Sequence, residues 1–178
     1  MAANEGKKFE KDIKESCENQ GIWIIRLSDS SLSWQHERTS RFTVNNPCDF
    51  LAFQKPNLFA IECKSTKYKS MSFSTNPDEK SAMIKAHQIN SLINFSLVDG
   101  IYAGFILNFR NDEDVSKGIT YWWSIQDFSD FINNTDKQSI NKLDVIQHNG
   151  IIIEQKLKRV RFTYNIEKLI NDITRNGG

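Results

Sequence analysis

The chain has 178 residues, 39% hydrophobic and 25% charged, and a formal net charge of +1. That length suits a single domain with a sizeable core, and the composition excludes an intrinsically disordered chain. No apolar run approaches the roughly 20 residues of a membrane-spanning helix, and the N-terminal residues alternate charge with isolated apolar positions, unlike a secretory signal; no membrane partner is expected. Three cysteines, in no metal-ligand spacing, point to reduced thiols and a cytoplasmic protein. Charge this close to balance neither favours nor excludes nucleic acid, because phosphate contacts need local positive charge. The basic residues do gather, at Lys64, Lys67 and Lys69 and again at Lys156, Lys158, Arg159 and Arg161.

In chain order, residues 5–19 read as a helix, with Phe9, Ile13 and Cys17 on one face and Gly21 as its stop. Residues 22–27 form a β-branched and aromatic strand. Residues 28–46 are polar and serine-rich, carrying Trp34, His36, Arg38, Arg41 and Phe42. Two apolar runs follow, 48–53 and 58–64, separated by Gln54-Lys55-Pro56-Asn57, a hairpin turn. A polar loop over 65–77 precedes a helix over 81–98, in which Ala82, Ala86, Ile89, Ile93 and Leu97 keep the helical period and Gly100 follows as the cap. Strands are expected at 101–109 and 119–123, and Ser124 with Asp127 signals the start of a short helix through Phe131. Residues 139–147 read as another helix. A hairpin over 151–155 and 160–164 and a last helix after Asn165 complete the chain. With no repeat and no dividing linker, residues 1–178 make one α/β domain with a mixed central sheet flanked by helices.

The hairpin at 48–64 carries the chemistry. If Phe53 lies opposite Leu58, antiparallel register puts Asp49 opposite Glu62, and alternation places Lys64 on the same face as Glu62. The same counting sets Cys48 opposite Cys63 on the far face, where both are expected to be buried core thiols. Opposed carboxylates at the rim of a core repel and require a cation. Lys64 as a structural salt bridge is one solution. A divalent ion held by Asp49 and Glu62 is the other, since Mg²⁺ takes oxygen ligands and keeps waters for a phosphate substrate; Lys64 would then stabilise charge developing on phosphorus. The residues alone leave both open.

Pro47, Asp49 and Glu62-Cys63-Lys64 resemble the PD-(D/E)xK nuclease signature, with Cys48 separating the proline from the aspartate. Three further segments resemble the RecU-type Holliday junction resolvases of that superfamily: Asn4-Glu5-Gly6-Lys7-Lys8-Phe9-Glu10, His87-Gln88, and Tyr121-Trp122-Trp123-Ser124. The similarity spans about residues 4–131. It departs at Pro47, where the family tends to carry a hydroxyl-bearing residue. The resemblance implies a restriction-endonuclease-like nuclease fold with a protruding stalk at 28–46 and a homodimer. It also implies Mg²⁺, with Mn²⁺ as the alternative ion, and paired symmetrical nicks across a four-way DNA junction. Catalytic roles fall to Asp49, Glu62 and Lys64, with Glu10 and Gln88 auxiliary; the Cys63 backbone carbonyl joins Asp49 and Glu62 as a metal ligand. Trp34, Arg38 and Arg41 of the stalk, with Lys67 and Lys69, are the expected DNA contacts. Two other activities fit the same residues: a nuclease of the superfamily acting on duplex DNA, and a non-catalytic junction-binding accessory protein of recombination.

Overall fold

The computed structural model describes residues 2–27, 46–110, 119–159 and 161–176. The stalk expected at 28–46, with Trp34, Arg38 and Arg41, lies outside these residues except for Asn46.

Helix α1 (Ala2–Asn19) buries Phe9, Ile13 and Cys17, the stripe its spacing predicts. Gly21, at φ 72, turns the chain out of it. Strand β1 (Trp23–Arg26) then pairs antiparallel with β2 (Phe50–Gln54), and β2 with β3 (Asn57–Thr66). The β2–β3 register is the expected one, with Phe53 opposite Leu58 and Phe50 opposite Ile61. After β4 (Ser70–Ser72), helix α2 (Ala86–Ser96) returns the chain so that β5 (Ile101–Phe109) runs parallel to β3. Strand β6 (Thr120–Ser124) pairs antiparallel with β5 and leads into α3 (Ile125–Asn133). Strand β7 (Ser139–Asn141), helix α4 (Lys142–Gln147) and β8 (Ile151–Ile152) follow, then β9 (Gln155–Lys158), β10 (Arg161–Tyr164) and α5 (Ile166–Asn176).

The central sheet has the order β1-β2-β3-β5-β6-β8 and is mixed. Its strands alternate between two cores. Phe50, Ala52, Phe59, Ile61 and Cys63 pack with α1 and α5 on one face, while Ala60, Phe105, Leu107 and Trp123 pack with α2 and α3 on the other. The middle strands are therefore apolar on both sides, as strands of a covered sheet must be.

The structure corrects several expectations. The helix foreseen over 81–98 begins only at Ala86, because 81–85 is extended: Ile84 bridges Phe73, and its N–H donates to the Ser72 carbonyl at 3.0 Å. Ala82 and Ile84 are buried nonetheless, so their apolar spacing is satisfied without a helix. Part of the loop foreseen over 65–77 is strand: β4 pairs with β7, which also removes three residues from the helix foreseen over 139–147. Both changes depend on pairing across a long stretch of chain. The terminal hairpin starts at Gln155, whereas Ile151 and Ile152 join the central sheet beside β6. Cys48 and Cys63 do not share a face: Cys48 sits in the core beneath α2 and α3, and Cys63 in the core beneath α1. Regular alternation ends at the bend at Asp49, before Cys48. All three thiols are free and buried.

Candidate active site

The site lies where β2 begins and β3 approaches its end. The Asp49 N–H donates to the Ile61 carbonyl at 3.1 Å, carrying the β2–β3 register one residue past the strand, and its Oδ2 accepts from the Cys63 N–H at 2.8 Å. Glu62, on the α2 side of β3, is 2% exposed. Two donors hold its Oε1: Lys64 Nζ at 2.7 Å and the Gln88 amide of α2. Gln88 Oε1 accepts from the Lys85 N–H at 3.0 Å, just before α2. That bond fixes the amide so that its NH₂ group, rather than its oxygen, faces the carboxylate.

The surroundings of Asp49 disfavour its ionised form. Burial, and next the charge of Glu62, push the Asp49 carboxyl up to about 7; the Cys63 N–H and Lys64 oppose this, and Glu10 adds to it. Glu10 thus reaches the site from α1, but its carboxylate is bound to Arg26 of β1, at 3.0 Å from Nε and 2.9 Å from Nη2. Burial, then Lys85, lowers the pKa of His87, which favours the neutral ring.

The structure therefore brings together Asp49, Glu62, Lys64, Gln88 and the Cys63 main chain, with Glu10 at the edge. Lys67 and Lys69 are exposed in the turn between β3 and β4, with Lys67 Nζ 5.3 Å from the Tyr68 ring centroid. Sequence reasoning missed Arg26 and Lys85. Arg26 lies in a predicted strand, yet only the packing of α1 reveals Glu10 as its partner; Lys85 contributes through its backbone, which leaves no mark in residue type. Among the described residues no group of three or more His, Cys, Asp or Glu side chains is placed to hold a metal ion. What the rim offers is two carboxylates and main chain, an all-oxygen set. Such a set suits a hard cation that retains water, and the raised Asp49 pKa marks the charge such a cation would offset.

No protein-family model matches the chain. Among solved structures it is similar to Hjc, a Holliday junction resolvase from the archaeal hyperthermophile Archaeoglobus fulgidus. The TM-score is 0.52 at 19% identity, covering 83% of this chain and 95% of that one. The layered mixed sheet and this likeness define the class: a restriction-endonuclease-like α/β fold, with a carboxylate pair and a lysine at one end of its sheet. Among curated proteins, the chain is 31% identical over 183 residues to the SPbeta prophage-derived uncharacterized protein YotM of Bacillus subtilis (strain 168), covering 97% of this chain and 88% of that protein. The chain belongs to the family of that prophage-derived protein. No described helix is long and apolar enough to cross a membrane.

Proposed function

We propose that the protein is a metal-dependent, structure-selective DNA endonuclease of RecU type, cutting four-way junctions by paired symmetrical nicks. The observation that carries this is the buried Glu62 carboxylate with the half-buried Asp49 beside it and Lys64 on Glu62, at the end of the strand pair of a resolvase-like fold. Asp49, Glu62 and the Cys63 carbonyl would hold Mg²⁺ or Mn²⁺. When bound, the ion supplies Lewis-acid charge that offsets the carboxylates and the scissile phosphate. The chain's own residues do the rest. The Cys63 N–H fixes the Asp49 carboxylate, and Gln88 fixes that of Glu62. Lys64 is only 16% exposed along its side chain and presents ammonium N–H donors where charge grows on phosphorus. Glu10, released from Arg26, is an auxiliary acid at the same rim. Lys67 and Lys69, with Trp34, Arg38 and Arg41 of the stalk, are DNA contacts on this reading, and paired nicks require two sites, hence a homodimer.

The test is cleavage of an end-labelled four-way junction beside a linear duplex of the same sequence, in Mg²⁺, Mn²⁺ and EDTA. Metal-dependent paired nicks on the junction alone are expected. Equal cutting of both substrates would leave a duplex nuclease, and tight junction binding without cutting would leave an accessory binding protein.

A further inference from the structure

The second basic cluster of the sequence has no part in the site described so far, and its place in the fold gives it one. Strands β9 and β10 form a two-stranded sheet apart from the central one. At its base the Gln155 side-chain oxygen accepts from Thr120 Oγ1 at 2.7 Å. Thr120 Oγ1 in turn accepts from Asn108 Nδ2 at 2.8 Å, and Asn108 Oδ1 accepts from Ser65 Oγ at 2.9 Å. Ser65 follows Lys64, so the base of the hairpin lies at the catalytic end of the sheet.

The direction of its tip follows from α1. The Tyr164 N–H donates to Ser16 Oγ at 3.0 Å, and the Tyr164 carbonyl accepts from Gln20 at 2.7 Å. Three residues earlier, Arg161 binds Asp12 at 2.6 Å through Nε and Glu15 at 2.9 Å. Strand β10 therefore runs in the same direction as α1, and the turn at its start points toward the half of α1 that carries Glu10. Lys8 lies one helical turn before Asp12 on that same line.

Arg161 is neutralised by α1, but its neighbours are not. Lys156, Lys158 and Arg159 are exposed and have no ion-pair partner among the described residues. Lys156 and Lys158 share one face of the strand, where like charges repel. Arg159 sits in the turn at φ 58, a left-handed conformation that favours glycine or asparagine. Repulsion and backbone strain are thus concentrated in a rigidly anchored hairpin beside the nuclease rim, and a row of phosphates is the ligand that relieves the repulsion.

We infer that the β9–β10 hairpin is a DNA-backbone arm, in which Lys156, Lys158 and Arg159 contact phosphates of the duplex flanking the cleaved strand. This rests on the reading that the substrate is DNA.

The experiment measures binding of the full chain to fluorescein-labelled four-way junction by anisotropy, in EDTA, across a sodium chloride series. Each phosphate contact contributes about 0.9 to the slope of log affinity against log salt. The combined variant Lys156→Gln, Lys158→Gln, Arg159→Gln should lower that slope by about 2 to 3 with the melting curve unchanged. Lys156→Arg with Lys158→Arg should keep it, as should Lys55→Gln in the β2–β3 turn. A wild-type slope in the triple variant overturns the arm and leaves the nuclease reading intact. An equal loss per charge at Lys55 also overturns it, by showing a diffuse charge effect. If the wild type binds but does not cut, and the triple variant loses slope, the arm stands and the nuclease reading falls. Absence of any DNA binding by the wild type removes both.

Discussion

At Asp49 folding works against ionisation. Its carboxyl rises from an ordinary 3.8 to about 7, chiefly through burial and Glu62, so the unfolded chain gives up this proton at lower pH than the folded one. In metal-free protein the resulting stability is complete below the unfolded value and declines as pH rises toward about 7. Melting in EDTA should therefore occur at lower temperature at about pH 8 than at about pH 5, and Asp49→Asn should flatten that dependence. The same variant should melt higher than wild type in EDTA at about pH 8 and lose any Mg²⁺-induced rise. An unchanged Mg²⁺ response would remove Asp49 from the ligand set. Lys64→Ala should lower junction cleavage by about 10²-fold or more while anisotropy shows DNA binding retained; strong cutting by this variant would place the lysine outside the mechanism. Burial pushes the thiols of Cys17 and Cys48 up to about 12, so they stay neutral core groups.

At the scale of elements, the site depends on how α2 begins, and the core beneath it on how α3 begins. The Lys85 N–H and Glu62 hold opposite ends of the Gln88 amide, so the start of α2 and strand β3 are fastened through one side chain. Helix α3 is held at its start by Ser124, whose Oγ accepts from the Asp127 N–H at 3.0 Å. Phe128 and Phe131 then pack against Trp123. Ser124→Ala should cost about 1 kcal/mol, read as a lower urea midpoint with an unchanged slope. The cap was visible in sequence because Ser and Asp three apart are side-chain signals. The late start of α2 was not, because Ala82 and Ile84 fit a helical stripe equally well and only the β4–β7 pair and the Phe73 bridge hold that segment extended.

For the whole molecule, the sheet face opposite α1 carries exposed apolar side chains at its β1–β2 edge. Trp23 pairs with Phe53, the two being 55% and 43% exposed, and Ile25 beside them is 44% exposed. On the proposed paired-nick activity this surface is where a second copy would cover apolar side chains. Sedimentation equilibrium of the full chain should give a dimer, and Trp23→Glu should shift it toward monomer without unfolding it. A wild-type monomer at assay concentration would leave paired nicking without its second site.

What the sequence determined by itself was local and periodic: the stripe of α1, the two-sided apolar hairpin, the opposition of Asp49 and Glu62, and the extent of β5. Strand alternation and antiparallel register are short-range rules, so counting from one turn was enough to bring the carboxylates together. The tertiary structure decided what depends on distant partners. It tied Glu10 to Arg26, aimed Gln88 at Glu62, placed Cys48 and Cys63 in different cores, and set the base of the C-terminal basic hairpin at the Lys64 end of the sheet. None of these is written in spacing, because each arises where elements far apart in the chain pack together, and burial there sets both the partners and the charge.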